Sequence, residues 1–115
     1  MKEMVKVLKA VADPNRIRIL KMLQQKKMCV CELSAVLGIT QPSVSRHLGM
    51  LKDAGLVRDE RNCQWIDYEL CREKINKYAP AIMANIRKWI NDDPRVSRDA
   101  AMLKTLNREK LCRKV

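Results

Sequence analysis

Apolar residues recur along this chain at helical spacing, in blocks that are short and sharply ended. Met4, Leu8 and Val11 fall at i, i+4 and i+7, which predicts a short packing helix over Glu3 to Val11. Asp13-Pro14 reads as a cap followed by a first-turn proline, opening a second helix whose Ile17, Leu20, Met22 and Leu23 carry it to about Gln25. Leu33, Val36 and Leu37 predict a brief helix from Cys31, and Gly38 stops it where a left-handed residue is usual. Thr40 is a suitable cap for the next, with Gln41-Pro42 at its start, Val44, Leu48 and Leu51 as its buried face, and Gly55 just past its end. Two short helices joined by a glycine turn form a helix-turn-helix pattern.

The period then changes. Leu56 to Glu60 and Gln64 to Leu70 are rich in Val, Ile, Trp and Tyr, with Trp65, Asp67 and Glu69 on one parity and Ile66, Tyr68 and Leu70 on the other. This predicts a hairpin with Arg61-Asn62-Cys63 near its tip. Helical spacing returns over Tyr78 to Ile90 through Ala79, Ile82, Met83, Ile86, Trp89 and Ile90, with Pro80 in the first turn. That stripe is longer than a small domain needs to cover itself, so it predicts a dimer helix. After Asp92-Asp93-Pro94 the composition shifts: residues 95 to 115 hold seven Lys or Arg against two acidic residues. Ala100, Leu103, Leu106 and Leu111 allow a helix there, and the charge fits a frayed extension equally well. The expected division is a domain over 1–93 and a basic C-terminal extension over 94–115.

Composition narrows the function. A chain of 115 residues makes one core, and 24 basic against 13 acidic residues, a net +11, favours an anionic partner such as nucleic acid or a membrane surface. Two Trp, two Tyr and no Phe argue against a platform that stacks several bases, but not against a helix read into a groove. No apolar run is long enough to span a membrane, and MKEMVKVLKA mixes charge with apolar residues too early for a signal peptide, so a cytoplasmic location is expected. Five cysteines, an odd number, point to reduced thiols that pack, bind metal or sense oxidants rather than to a disulfide scaffold. With His47 the only histidine, a soft-metal site in one chain must rest on sulfur. No nucleophile-base arrangement or phosphate-cradling loop suggests an enzyme.

At about 100° per residue, Val44, Leu48 and Leu51 define one face of the fourth helix, and Arg46 points nearly opposite. Gln41, Ser43 and Ser45 lie at its leading end or flanks, with short or amide side chains suited to groove edges and phosphates, while Arg46 can contact guanine with both arms. The segment CELSAVLGITQPSVSRHLGMLKDAGLVRDERNCQWIDYEL, residues 31 to 70, resembles the winged helix-turn-helix of the bacterial ArsR/SmtB repressors. The likeness covers about residues 5 to 90. It implies a mainly α fold with a small β-hairpin wing, a homodimer, and double-stranded operator DNA as partner. It also implies that Gln41, Ser43, Ser45 and Arg46 read DNA. Arg61 and Gln64 on the wing are placed for minor-groove or phosphate contacts, and His47, between the core face and the open face, is placed to touch a phosphate or to pack half-buried. Family members that hold zinc between their C-terminal helices use histidines and carboxylates there, and residues 78 to 93 contain no His.

Met28-Cys29-Val30-Cys31-Glu32-Leu33 resembles the metalloid-sensing segment of arsenical-resistance repressors, a Cys-Val-Cys-acid-Leu-Cys pattern whose third thiol is Ser34 here. A hydroxyl binds a soft ion far less well than a thiolate. On a regular helix, positions i and i+2 point about 200° apart, so one ion holding both sulfurs needs this turn extended or distorted. A helix N-terminus favours thiolate, the form that binds metal. Cys63, Cys71 and Cys112, from either subunit, are the candidates for a third sulfur. The resemblance implies a repressor released from DNA when As(III) or Sb(III) binds Cys29 and Cys31, with no cofactor required. The alternatives are a Cd(II)-, Pb(II)- or thiol-redox-responsive DNA-binding regulator, and a non-specific basic interaction or metal-buffer protein.

Overall fold

The computed structural model describes residues 1–111. In chain order these form α1 (Lys2–Val11), α2 (Pro14–Leu23), α3 (Val30–Leu37), α4 (Gln41–Asp53), β1 (Val57–Asn62), β2 (Trp65–Leu70), α5 (Tyr78–Lys88), α6 (Pro94–Leu103) and α7 (Arg108–Leu111). Local chemistry sets most of these boundaries. The Asp13 side chain accepts the amides of Asn15 and Arg16, Thr40 accepts that of Ser43, and Asp93 accepts those of Arg95 and Val96. Each cap is followed by a proline in the first turn, where the missing amide costs nothing. Gly38 ends α3 at φ 71°, in the left-handed region. Gly55 follows α4 at φ 78°, and a Cβ there would stand 3.2 Å from both Asn76 Nδ2 and Ile75 Cβ. The chain turns there from helix into wing.

Ile19, Leu20 and Met22 of α2, Leu33 of α3, Val44, Leu48 and Leu51 of α4, and Leu56 and Val57 at the wing's base share one buried cluster. Each such side chain stabilises the fold by roughly 1.5 to 3 kcal/mol relative to exposure. In α1 the core takes Val7 and Ala10, whereas Met4 and Leu8, expected to pack, lie on the surface. The α5 stripe divides similarly. Ala79, Met83 and Ile86 are buried, but the helix stops at Lys88, and Trp89 and Ile90 lie beyond it and exposed.

β1 and β2 pair antiparallel from Val57↔Leu70 to Asn62↔Trp65. The turn is therefore Cys63-Gln64, two residues later than expected, and Arg61 belongs to the paired strand. Cys63 takes φ 57°, a left-handed conformation unusual outside glycine. Met28 adds a bridge to Tyr68, with N–O distances of 3.1 and 2.8 Å, so the residue before Cys29 is fixed against the second strand of the wing.

Residues 94 to 111 turn back over the other helices. α6 packs on α2 and α3, with Leu103 buried, and Arg18 meets Asp99 through two bonds of 2.8 and 2.9 Å. Among the described residues, no helix is long and apolar enough to cross a membrane.

Candidate functional site

The cap at Thr40 and the apolar face at Val44, Leu48 and Leu51 fix the rotation of α4. Gln41, Ser45 and Arg46 are left exposed and Ser43 half-buried. Ser43 Oγ accepts from Thr40 Oγ1 and from Arg46 Nη2, both at 3.1 Å, so Arg46 lies back toward the leading end of its own helix. The sequence-derived residues thus share one open surface carrying a guanidinium, an amide and hydroxyls. On the wing, Arg61 and Gln64 are exposed.

His47 is half-buried. Its Nδ1 accepts from Arg16 Nη1 at 3.1 Å, which leaves the ring hydrogen on Nε2. Arg16 also donates to the carbonyls of Ala10 and Lys9, so one guanidinium ties the end of α1 and the start of α2 to α4. No pattern in the sequence pairs residues 16 and 47.

The thiol pair sits where α3 begins. Cys29 is not on the helix but is its cap, with extended backbone at φ −93°, ψ 170°. The Glu32 amide faces the Cys29 sulfur, and the Cys29 amide donates to Glu32 Oε1 at 3.0 Å, a reciprocal capping box. Cys31, half-buried in the first turn, accepts from Gln41 Nε2 at 3.6 Å, a sulfur-length hydrogen bond. Because the Cys29 backbone is extended, the separation of about 200° that i and i+2 would have on a regular helix does not describe this pair. Ser34, in place of the third thiol, donates to the Ile39 carbonyl and closes the turn between α3 and α4.

Cys71 follows β2, three residues past Tyr68, the partner of Met28, and Cys63 stands in the wing turn, five residues before it. Cys71 is half-buried and Cys63 exposed at the wing turn. Cys112 lies outside the described residues. Among those described, no group of three or more His, Cys, Asp or Glu side chains is placed to hold a metal ion.

Two further residues border the pair: Glu32, the acid of the sequence pattern, and Arg108, which has no signature in the sequence. Glu32, buried, takes Arg108 of α7 on the oxygen that caps Cys29, and Arg108 also reaches Asp67 on β2. Burial opposes the charge of Arg108, and its bonds to the two carboxylates outweigh that, raising its pKa above the usual guanidinium value.

Beside this geometry stands an apolar surface. Met4, Leu8, Tyr78, Ala81, Ile82 and Asn85 line a groove between α1 and α5, where Leu8 is 48% exposed.

Residues 13–59 match the model of a family described as bacterial regulatory protein, arsR family. Over 92 residues the chain is 35% identical to the arsenic resistance transcriptional regulator ArsR1 of Pseudomonas putida, covering 76% of this chain and 71% of that one. It is 36% identical to the arsenical resistance operon repressor of Escherichia coli over 67 residues, spanning 57% of each. Among solved structures, the transcriptional repressor BigR from Xylella fastidiosa superposes with a TM-score of 0.65 at 29% identity, over 80% of this chain and 88% of that one.

Proposed function

The chain belongs to the arsR family of bacterial regulatory proteins, and from that membership we propose a homodimeric repressor that binds operator DNA and leaves it when a thiophilic ion binds Cys29 and Cys31. As(III) or Sb(III) is the favoured inducer, on the likeness of the Cys29-Val30-Cys31-Glu32-Leu33 segment and of the arsenic-resistance relatives. The α4 helices of two subunits would enter successive major grooves, with Gln41, Ser43, Ser45 and Arg46 toward the bases and Arg61, Gln64 and His47 toward the backbone. The groove between α1 and α5 offers the surface for the second subunit.

The observation that carries the reading is the contact from Gln41 Nε2 to Cys31 Sγ. It joins the first residue of the reading helix to the thiol pair, so an ion that takes Cys31 removes a partner of the DNA-facing amide. Taking Cys29 removes the cap of α3 as well. The ion then favours a form with weakened DNA contacts, and linkage requires DNA to weaken ion binding by the same factor. A trigonal ion would take its third sulfur from Cys63, Cys71 or Cys112 of either subunit, since the Ser34 hydroxyl is committed to the Ile39 carbonyl.

The test is operator binding by the reduced dimer at fixed salt, titrated with As(III) and with competitor DNA. Wild type should bind its own upstream DNA specifically and release it on As(III), whereas Cys29→Ser, Cys31→Ser should stay bound. Release of the double variant at the wild-type As(III) concentration would overturn the thiol mechanism. Arg46→Ala should reduce discrimination between operator and random DNA by about 1 to 3 kcal/mol. An unchanged ratio would remove Arg46 from the reading face.

A further inference from the structure

The guanidinium of Arg108 is shared by side chains of two separate elements. Nη2 donates to Glu32 Oε1 at 3.0 Å and also to Asp67 Oδ1, while the guanidinium carbon lies 5.0 Å from the centre of the Trp65 ring. Glu32 is 3% exposed and Asp67 5%, so both carboxylates depend on this cation. Lys26, the other cation near Glu32, is exposed and 3.7 Å away. Each carboxylate has a second duty. Glu32 Oε1 accepts the Cys29 amide, and Asp67 Oδ2 accepts from Asn62, the last residue of β1 before the wing turn.

We propose that Arg108 is a positioning residue that couples the thiol-bearing turn of α3 to the wing. The structural link needs only these contacts, whereas its regulatory meaning rests on the repressor reading above. Glu32 cannot follow a displaced Cys29 without changing its bond to Arg108, and Arg108 cannot shift without changing its hold on Asp67 and Trp65. An ion that draws Cys29 out of its cap thereby loosens the strand that carries the wing turn. The reading helix is reached by a separate route, through Cys31 and Gln41. With Arg108 serving the wing and Gln41 the reading helix, the thiol turn has a connection to both DNA-facing elements.

Amide hydrogen exchange on the full chain tests the link directly. Arg108→Met should speed exchange of residues 29 to 33 and of residues 57 to 70 together, by about tenfold. α6, held separately by Arg18 and Asp99, should keep its protection, and Glu109→Ala, on the same short helix, should change neither segment. Asp67→Asn should speed the wing alone, and it serves as the test if Arg108→Met fails to fold. Wild-type exchange in either segment of a folded Arg108→Met, or in the wing of Asp67→Asn, would overturn the proposal.

The operator titration supplies the second arm. The factor by which As(III) weakens DNA binding should fall about three- to tenfold in Arg108→Met. An unchanged factor would also overturn the proposal. A wild-type complex that ignores As(III), beside a paired rise in exchange, would retire the metalloid reading and leave the coupling in place.

Discussion

Ser34 shows how much one atom can decide. Its hydroxyl donates to the Ile39 carbonyl and so fastens the turn that sets α4 against α3. A thiol there would hold that carbonyl poorly and would restore the third sulfur of the family pattern. Ser34→Cys should therefore raise As(III) affinity by at least about tenfold, ~1.4 kcal/mol, while lowering stability by about 1 kcal/mol. Calorimetric titration and urea unfolding would measure the two effects, and unchanged affinity would mean that a third sulfur already reaches the ion. At this scale the sequence was informative wherever helix period decides the outcome: Gln41, Ser45 and Arg46 are exposed because Val44, Leu48 and Leu51 are not. The contact between Arg16 and His47 was not legible, because it joins residues 31 positions apart across separate helices.

Among the elements, capping chemistry was the most readable signal. Asp13-Pro14 and Thr40 before Gln41-Pro42 mark real helix starts, and Asp93-Pro94 is a third instance of the same device, opening α6 where charge alone suggested fraying. What the sequence could not show is that α6 returns to α2 through Arg18 and Asp99. Asp99 is 2% exposed, and its bond to Arg18, followed by their charge attraction, raises the arginine's pKa against the opposing effect of burial. Asp99→Ala would strand Arg18 in a poorly hydrated place, with an expected loss of about 3 kcal/mol or more. Urea unfolding should show it, together with faster proteolysis near residues 90 to 94, and an unchanged midpoint would reduce the pair to a surface contact. The hairpin was recognisable from its residue types, but its turn was displaced to Cys63-Gln64. Its polar parity is the more buried, with Asp67 inside and Ile66 exposed, because Arg108 covers that face.

For the whole molecule, the misread surface of α1 is informative. Met4 and Leu8 have the spacing of a packing stripe, yet one chain buries Val7 and Ala10 instead, leaving the stripe beside Ile82 of α5. On the homodimer proposed above, a second copy covers the stripe that this chain leaves open. Leu8→Glu should then yield a folded monomer, with normal helix content by circular dichroism and half the mass by sedimentation. Its operator affinity should drop by about 100-fold or more, since two linked reading heads are replaced by one. A Leu8→Glu protein that still sediments as a dimer would place the interface elsewhere. The fold class, the exposed face of α4 and the place of two thiols at the start of α3 were visible in one sequence, whereas contacts made by α6 and α7 required the three-dimensional chain.

Cys29 caps a helix and, on the reading proposed here, also ligates the inducer. On that reading Cys29, buried at the cap, meets an ion more readily when the first turn of α3 opens. Warming enlarges the opened fraction, since helix ends open before cores do. On the proposed reading, the ion concentration needed to clear the operator should therefore fall as temperature rises, which operator titrations at two temperatures would check.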